Sequence, residues 1–338
     1  MRALRRVLVT GGCGFIGSHL VRHLLAARPG LEVVNLDLLT YAGRPENLAD
    51  VEGDPRYRLV QGDIRDAEAV AAAAEGCDAI VNVAAETHVD RSIFGGDEFV
   101  LTNVLGTKRL LDHARATGAR YLQVSTDEVY GDVEAPHRSV EGDPLAGSSP
   151  YAASKAAGDL LVLSYARTYG LDASITRGSN TYGPNQFPEK LIPLMTANAL
   201  DGRPLPVYGD GLQVREMLWV GDHVSAIDLV LHAGEAGEPY NVGAEHEVAN
   251  IETVRRIVEL TGADPGLITY VADRPGHDRR YALDCSRLRA LGWRREVGFD
   301  EGLARTVGWF REHRAWWEAI RAGAAYADYH QRNYDARG

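Results

Sequence analysis

A short apolar strand that runs into a glycine-rich turn most constrains how this chain can fold. Residues 7–10 have the pattern of a buried strand, and Gly11, Gly14 and Gly17 follow at regular spacing before a helical pattern over residues 18–27. Glycines at such positions let the backbone turn tightly and approach a pyrophosphate, while the helix N terminus offers free N–H groups to the anion. The sequence therefore predicts a dinucleotide-binding unit at its start.

Asp37 indicates which dinucleotide is bound. It ends the second predicted strand, residues 32–36, and comes 20 residues after Gly17. An acidic side chain at this place accepts hydrogen bonds from an adenosine ribose and repels a 2′-phosphate. NAD is therefore predicted rather than NADP, although Arg44 nearby keeps NADP as an alternative, and a turn or helix-capping role is the other interpretation of Asp37.

Strands and helices alternate through the first half of the chain. This order predicts an α/β fold with a Rossmann-type, doubly wound parallel sheet. Further strands are predicted at residues 57–61, 79–84, 121–124 and 173–176, and helices at 67–75, 97–117 and 151–169.

After Pro184 the alternation breaks, and prolines separate short elements. We predict an NAD-binding Rossmann domain over residues 1–184, with returning segments near 214–235. Residues 185–338 are predicted to form a smaller, mixed α/β C-terminal lobe that is interleaved with the first. Helices are predicted there at residues 251–260 and 285–291, followed by a last helix capped by Asp300.

Composition excludes several classes of partner. The net charge is −11, from 36 basic and 47 acidic residues without a block of like charge, which argues against nucleic acid. Cys13, Cys77 and Cys285 are widely spaced, so neither a disulfide framework nor a cysteine-based zinc site is predicted. The apolar run near the start is too short for a signal peptide, and none approaches the roughly 18 residues of a membrane span. We expect a cytoplasmic protein without a membrane partner.

Two other clusters have structural interpretations. His19 and His23 form an i, i+4 pair on a helix, but no third ligand is evident, so no metal is predicted. Trp309, Trp316 and Trp317 are interpreted as packing residues rather than as a platform for base stacking.

The segment after the strand at residues 121–124 carries the chemistry. Thr126, Asp127 and Glu128 follow that strand directly, and the carboxyl edge of an open parallel sheet is where ligands bind. A solvated turn would explain the two carboxylates if they stood alone. Tyr151 and Lys155 lie one helical turn apart and project from the same face.

A lysine ammonium beside a phenol favours the phenolate, so we expect Lys155 to lower the pKa of Tyr151. Such a tyrosine can exchange a proton with a sugar hydroxyl during hydride transfer. Coincidence is the usual explanation for an isolated Tyr-x-x-x-Lys, but here the motif accompanies a glycine-rich loop and a strand that ends in Ser-Thr.

Together, residues 10–17 with Tyr151 and Lys155 resemble the extended short-chain dehydrogenase/reductase superfamily. Within that superfamily, four longer segments in the same order are similar to the dTDP-glucose 4,6-dehydratases, and the resemblance covers nearly the whole chain. These segments are residues 84–92, 125–131, 188–193 and 272–281.

The resemblance implies a redox-neutral reaction in three steps. Tyr151, assisted by Thr126, would deprotonate the glucose C4 hydroxyl while NAD accepts the C4 hydride. Glu128 would then remove the C5 proton, which the 4-keto group acidifies, and Asp127 would protonate the departing C6 hydroxyl. Hydride return to C6 gives a 4-keto-6-deoxy sugar. Two carboxylates in opposite roles must titrate apart, so Asp127 is expected to be protonated.

The resemblance and the motifs also imply binding residues, and they imply a homodimer formed through the helices at 97–117 and 151–169. The cofactor set is Gly11, Gly14, Phe15, Ile16, Gly17, Asp37, Leu38, Thr40, Asp63, Ile64, Ala84, Ala85, Thr102, Tyr151, Lys155 and Asn180. The substrate set is Thr87, Thr126, Asn180, Lys190, Leu191, Pro206, Tyr208, Arg215, Asn250, Arg274, His277 and Tyr281. Lys190, Arg215 and Arg274 would supply cations for a diphosphate.

Some positions depart from the family pattern, and two rival functions stay open. The departures are Cys13, Thr87, Thr181 and Met217, where Ala, Ser, Asn and Trp are common; they affect substrate fit but not the acid, base or phenol. A UDP-sugar 4-epimerase or decarboxylase of the superfamily is the first rival, and Asp127 is the residue that discriminates against it. A non-catalytic NAD-sensing protein is the second, and the intact Tyr151/Lys155 pair argues against it.

Overall fold

The computed structural model describes residues 2–331, whose strands form three sheets. The largest sheet has seven parallel strands in the order β10-β6-β5-β4-β1-β2-β3, which is a doubly wound, Rossmann-type arrangement and confirms the predicted fold class. In chain order the strands are β1 Arg6–Thr10, β2 Glu32–Asp37, β3 Tyr57–Gln61, β4 Ala79–Asn82, β5 Arg120–Thr126, β6 Ala173–Gly178, β7 Asn180–Tyr182, β8 Leu205–Tyr208, β9 Val214–Trp219, β10 Pro239–Val242, β11 Glu247–Ala249 and β12 Ile268–Val271.

Helices cover both faces of this sheet because its strands are apolar on both sides, as a buried parallel sheet requires. Leu20 and Ile227 belong to the core on one face, and Leu110 and Val162 to the core on the other. The helices are α1 Phe15–Ala27, α2 Ala67–Ala73, α3 Val89–Phe94, α4 Asp97–Val100, α5 Thr107–Thr117, α6 Pro150–Tyr169, α7 Leu191–Leu200, α8 Val220–Ala233, α9 Asn250–Thr261, α10 Ser286–Ala290, α11 Phe299–Glu312, α12 Arg314–Arg321 and α13 Ala324–His330.

Two helix predictions differ from the structure. The helix predicted at residues 97–117 contains a π-helical turn, Leu101–Gly106, between α4 and α5. In that turn Asn103 bonds the backbone of Glu86, which lies beyond the end of β4. The prediction that Asp300 caps the last helix is wrong. Gly298 is the N-cap of α11 and Asp300 lies within its first turn, because α11 begins at Phe299.

The smaller lobe is built on two short sheets, β11-β9-β7 and β12-β8. Its core contains Ile192 from α7, Val254 from α9 and Leu303 from α11. Within the segments predicted to return to the first domain, α8 packs against α1 but β9 belongs to the small sheet. Downstream of those segments, β10 completes the large sheet beside β6, so the two parts of the chain are interleaved.

The tryptophan cluster joins the two lobes. Trp317 on α12 is fully buried and packs with Phe310 of α11. Trp316 donates its indole N–H to Asn47 Oδ1 at 3.0 Å, which brings α12 against the first lobe. Across residues 2–331, the structure contains no helix with the length and apolar character needed to cross a membrane.

Candidate active site

The glycine loop after β1 leaves room that side chains would fill. Gly11 has φ +69°, and a Cβ there would lie 2.7 Å from Ala84 Cα. A Cβ on Gly17 would collide with the carbonyl oxygen of Gly11. The N-cap of α1 is Gly14. Because glycine has no side chain to cap the helix, the first-turn amides stay available to an anion.

A cavity of about 310 Å³ opens beside this loop at the carboxyl edge of the large sheet. Its lining contains every residue of the predicted cofactor set. Asp37 is almost fully buried there and accepts hydrogen bonds from the amides of Cys13 at 2.9 Å and Leu39 at 2.8 Å. Burial raises the pKa of Asp37, and these two bonds partly offset the shift. Its predicted contact with a ribose stays a prediction.

The two carboxylates follow β5 in a short 3₁₀ turn, Asp127–Tyr130. Thr126 begins this turn, because its hydroxyl accepts from the amide of Glu128 at 3.3 Å and lies 3.1 Å from Asp127 Oδ1, to which it donates. Asp127 Oδ2 is buried and has no hydrogen-bond partner among the described residues. That oxygen is the place where a proton would reside if the carboxyl were neutral.

The surroundings of the two carboxylates differ. Burial raises the pKa of Asp127 well above its usual range, and the neighbouring Glu128 charge raises it further. Burial also raises the pKa of Glu128, but Arg274, Lys190 and Arg215 oppose that shift. Of the two, Asp127 is therefore the group more favoured to carry a proton, and Glu128 is the group whose ionised form three cations stabilise.

Tyr151 and Lys155 project from the first turns of α6, which Ser149 caps by accepting from the amide of Ala152 at 3.1 Å. Lys155 Nζ donates to the carbonyl of Val124 on β5 at 2.7 Å, and burial lowers its pKa to about 8.

The expectation of a lowered pKa for Tyr151 beside Lys155 is wrong, because the pKa of the phenol is raised overall. Burial raises the pKa of Tyr151, and Glu128 and Asp127 raise it further. The hydroxyls of Thr87 and Thr126 act in the opposite direction. Desolvation of the phenol outweighs the effect expected from the Lys155 charge, because burial penalises the phenolate itself.

A second cavity, of about 160 Å³, adjoins the first within the smaller lobe. Glu128, Asn180 and Lys190 line both cavities, so the carboxylate lies at their junction. Thr87 and Thr126 line only the larger cavity. The other predicted substrate residues that line the smaller one are Leu191, Pro206, Tyr208, Arg215, Asn250, Arg274 and His277.

Tyr281 is the predicted substrate residue that lines neither cavity. Its hydroxyl donates to Asp278 at 2.6 Å, and its ring lies under the guanidinium of Arg215, 4.3 Å from the ring centroid. Arg215 also donates to the carbonyl of Asp278 at 2.9 Å. Tyr281 therefore supports a cation of the site instead of facing the cavity.

Several residues of the site were given no catalytic or binding role from the sequence, although some of them lie within the family-like segments. Glu189 accepts from Arg91 at 2.8 Å and from Tyr41 at 3.2 Å, which connects the segment around Lys190 to the first lobe. Asp90 pairs with Arg274 at 3.3 Å. Because these contacts join distant parts of the chain, the family-like segments do not reveal which residues pair with one another. Other unassigned residues of the larger cavity are Glu86, Ser125, Ser179, Gln186, His223 and Trp316.

The fold is that of the extended short-chain dehydrogenase/reductase superfamily, as the sequence resemblance predicted. Within it, the chain belongs to the GDP-mannose 4,6-dehydratase family, whose model matches residues 8–306. A dTDP-glucose 4,6-dehydratase from Streptomyces griseus is 52% identical over 93% of this chain and 96% of the relative. The dTDP-glucose 4,6-dehydratase 1 of Escherichia coli K12 is 45% identical over 98% of this chain and 99% of the relative.

Solved structures agree with this placement. The dTDP-glucose 4,6-dehydratase DesIV from Streptomyces venezuelae, crystallised with NAD and TYD bound, has a TM-score of 0.91 and 54% identity over 93% of this chain and 99% of its own. A UDP-glucose 4-epimerase from Thermus thermophilus in complex with NAD has a TM-score of 0.85 and 36% identity over 91% of this chain and 99% of its own.

Proposed function

We propose that this chain is an NAD-dependent hydro-lyase that converts dTDP-glucose to dTDP-4-keto-6-deoxyglucose. The dehydratase relatives and the DesIV structure with NAD support this reaction class. One observation carries the proposal to the residues of this chain. Glu128 lines both cavities and its neighbour Asp127 lines the larger one; burial and the Glu128 charge raise the pKa of Asp127, whereas three cations oppose the rise for Glu128.

The larger cavity fits the dinucleotide. The glycine loop leaves a cradle that a Cβ at Gly11 or Gly17 would fill, and α1 begins beside it with free amides. Gly11, Gly14 and Gly17 would hold the pyrophosphate, and Asp37 the adenosine ribose. NAD, when bound, supplies the acceptor and later the donor of a hydride. The other members of the predicted cofactor set also line this cavity.

Tyr151 would take the proton of the sugar C4 hydroxyl. Its neighbours Thr87 and Thr126 lower its pKa, although burial and the carboxylates raise it. Lys155 is fixed to the Val124 carbonyl beneath the same edge of the sheet, and it would supply positive charge on the same helix face as the phenol. Thr126 would orient the hydroxyl, because it stands at the end of β5.

Asp127 would give its proton to the C6 hydroxyl as water leaves, and Glu128 would remove the proton at C5. The raised pKa of Asp127 fits the acid, which must carry a proton at the working pH, and the cations Arg274, Lys190 and Arg215 oppose the rise for Glu128, the base. An epimerase has no need of such a pair, since it returns hydride to the carbon that lost it.

The smaller cavity would bind the nucleotide of the substrate. Lys190, Arg215 and Arg274 are cations suited to a diphosphate, and Asn250 and His277 add polar contacts. Thymine and uracil differ by one methyl group, which is worth about 1–3 kcal/mol of discrimination in a binding site. The proposal favours the thymine nucleotide because the relatives are dTDP-glucose 4,6-dehydratases. Tyr281 would act through Arg215, whose guanidinium lies over its ring.

A homodimer through the helices predicted at residues 97–117 and 151–169 is part of the proposal. Val100, Leu101 and Leu160 are large apolar residues exposed on these helices, and Phe94 lies on the adjacent α3. Burying such residues against a second copy is favourable at about 25 cal/mol per Å² of apolar surface. Light scattering should give twice the chain mass, and a monomer would contradict this part of the proposal.

The domain roles and the location belong to the proposal as well. We assign NAD binding to residues 1–184 with the returning segments near 214–235, and nucleotide-sugar binding to the interleaved residues 185–338. The three cysteines are free thiols, which suits a reducing compartment such as the cytoplasm.

The test is a turnover assay with dTDP-glucose and UDP-glucose side by side. The purified protein should form a 4-keto product from dTDP-glucose without added reductant, and product made in D2O should carry deuterium at C5. Product without solvent deuterium at C5 would rule out the elimination step. Faster turnover of UDP-glucose to a 4-keto product would contradict the preference for thymine, and conversion of UDP-glucose to the C4 epimer would favour the rival reaction.

A further inference from the structure

His223 lies in the first turn of α8 and lines the larger cavity, yet no motif in the sequence assigns it a role. Its side chain is almost completely buried, with 1% exposure. Its Nδ1 lies 2.7 Å from the hydroxyl of Thr181, but its Nε2 has no hydrogen-bond partner among residues 2–331. Burying a polar atom without a hydrogen-bond partner costs free energy, which suggests that a bound ligand supplies the missing partner.

The contacts of Thr181 define which tautomer His223 adopts. The Thr181 hydroxyl has one proton, and it lies 3.1 Å from the carbonyl of Ser179 as well as 2.7 Å from the imidazole. Both contacts become hydrogen bonds only if Thr181 donates to Ser179 and His223 Nδ1–H donates to Thr181. The proton then lies on Nδ1, and Nε2 is left as a bare acceptor.

The imidazole is located at the reactive end of the cavity. Its Cε1–Nε2 edge lies against Gly178, where a Cβ would come within 2.6 Å of Cε1 and 2.7 Å of Nε2. Gly178 is the register partner of Thr126 across β5 and β6. His223 is therefore placed beside the catalytic strand end and away from Asp37, which lies at the end of β2, four positions from β6 in the sheet.

We propose that His223 is a positioning residue for NAD, with Nε2 accepting a hydrogen bond from the carboxamide N–H of the nicotinamide. This inference rests on the proposed function and extends it to the orientation of the ring that exchanges hydride. Burial lowers the pKa of His223 to about 4, so the imidazole is neutral and does not repel the positively charged oxidised ring. The carboxamide is the substituent of that ring that carries N–H donors.

The test pairs two variants with three ligands. His223→Asn keeps an amide at the position of Nδ1, facing Thr181, but removes the atom at Nε2. His223→Gln instead places an acceptor near the position of Nε2. The ligands are NAD, 3-acetylpyridine adenine dinucleotide, which has a methyl ketone in place of the carboxamide, and ADP-ribose, which lacks the ring. Dissociation constants would be measured by competition calorimetry on the purified protein.

The wild-type protein should bind NAD about five- to tenfold more tightly than the acetylpyridine analogue, as expected for one hydrogen bond. In His223→Asn the two ligands should bind equally, while His223→Gln should retain most of the difference. ADP-ribose should bind all three proteins within about twofold, because it does not reach His223.

Other results would overturn the inference. If His223→Asn keeps the wild-type preference for NAD, or if ADP-ribose weakens in parallel with NAD, the histidine has only a packing role. A wild-type protein that binds NAD but discriminates poorly between NAD and the analogue would also contradict it, and would leave the dehydratase proposal intact. A wild-type protein that binds neither NAD nor ADP-ribose would contradict the proposed function itself.

Discussion

The two cavities are built in different ways. The dinucleotide cavity depends on backbone geometry, with glycines at a strand-to-helix turn and amides at the start of α1. The nucleotide cavity depends on charged side chains, with Arg215 from β9, Arg274 from the loop after β12 and Lys190 just before α7. Backbone cradles tolerate no added atoms, whereas charged side chains tolerate small shifts but not the loss of charge. The predictions below test this difference, beginning at the junction of the cavities.

The largest effect is expected where the two cavities meet. Asp127→Asn and Glu128→Gln each remove one proton-transfer group, so turnover should fall by about 10²–10⁴-fold. In Asp127→Asn the oxidation at C4 should persist, because Tyr151 is untouched. Single-turnover absorbance of reduced cofactor would measure this step. Full dehydratase activity in Asp127→Asn would contradict its role as the acid.

Arg274→Met tests the cavity that depends on charge. The variant removes a cation next to the proposed diphosphate, together with the ion pair between Arg274 and Asp90. Binding of dTDP should weaken by roughly 10- to 100-fold, since hydrogen bonds to charged groups are worth about 1.5–3 kcal/mol. The affinity for NAD should change little. Arg279→Met is the matched control, because its ion pair with Asp210 is exposed. Equal losses in both variants would show that only net charge matters.

Gly17→Ala tests the cavity that depends on the backbone. The added methyl meets the Gly11 carbonyl, and backbone cannot move aside as a side chain can. NAD binding should weaken by about tenfold or more, and stability should fall by about 1–3 kcal/mol, the usual range for overpacking. Gly30→Ala is the control, because a Cβ there has open space. Calorimetry and urea unfolding measure the two effects. Unchanged NAD affinity in Gly17→Ala would contradict the assignment of the cradle.

The smallest effect concerns stability and pH. The folded-state pKa of Asp127 is raised, so the stability that its protonated form contributes is complete below the unfolded pKa, near 3.9 for an aspartate, and is lost as pH rises through the folded pKa. Asparagine does not ionise, so Asp127→Asn avoids this loss of stability at high pH. Its melting temperature should therefore exceed that of the wild type by a few degrees at pH 8, with little difference near pH 4. A lower melting temperature at pH 8 would contradict the burial argument.

The fold was predictable because its signals are local. The apolar strands, the glycine loop and the Gly118 and Gly170 helix ends each follow from a few neighbouring residues, and both glycines adopt the left-handed conformation that ends a helix. The elements that were missed or misplaced depend on contacts with distant segments. The π-helical turn at Leu101–Gly106 contains Asn103, which bonds Glu86, and β10 joins the large sheet only after the chain has formed β9 in the other lobe.

The candidate site divides in the same manner. Residues in motifs, such as Asp127, Tyr151 and Lys155, were named from sequence, and the structure brings them to one edge of the sheet. The ion pair of Glu189 with Arg91 spans 98 positions along the chain, and His223 reaches the cavity from α8. No spacing rule connects such residues, because their proximity results from packing between elements.

By itself, the sequence determined the class of fold, the alternation of strands and helices in the first half of the chain and the kinds of chemical group at the reacting centre. The tertiary structure decided the environment of those groups. Burial raises the pKa of Asp127, three cations oppose the rise for Glu128, and the pKa of Tyr151 shifts in the direction opposite to the one expected. The reason is physical: residue identity sets the ordinary pKa of a group, but desolvation and the charges of distant residues set the shift.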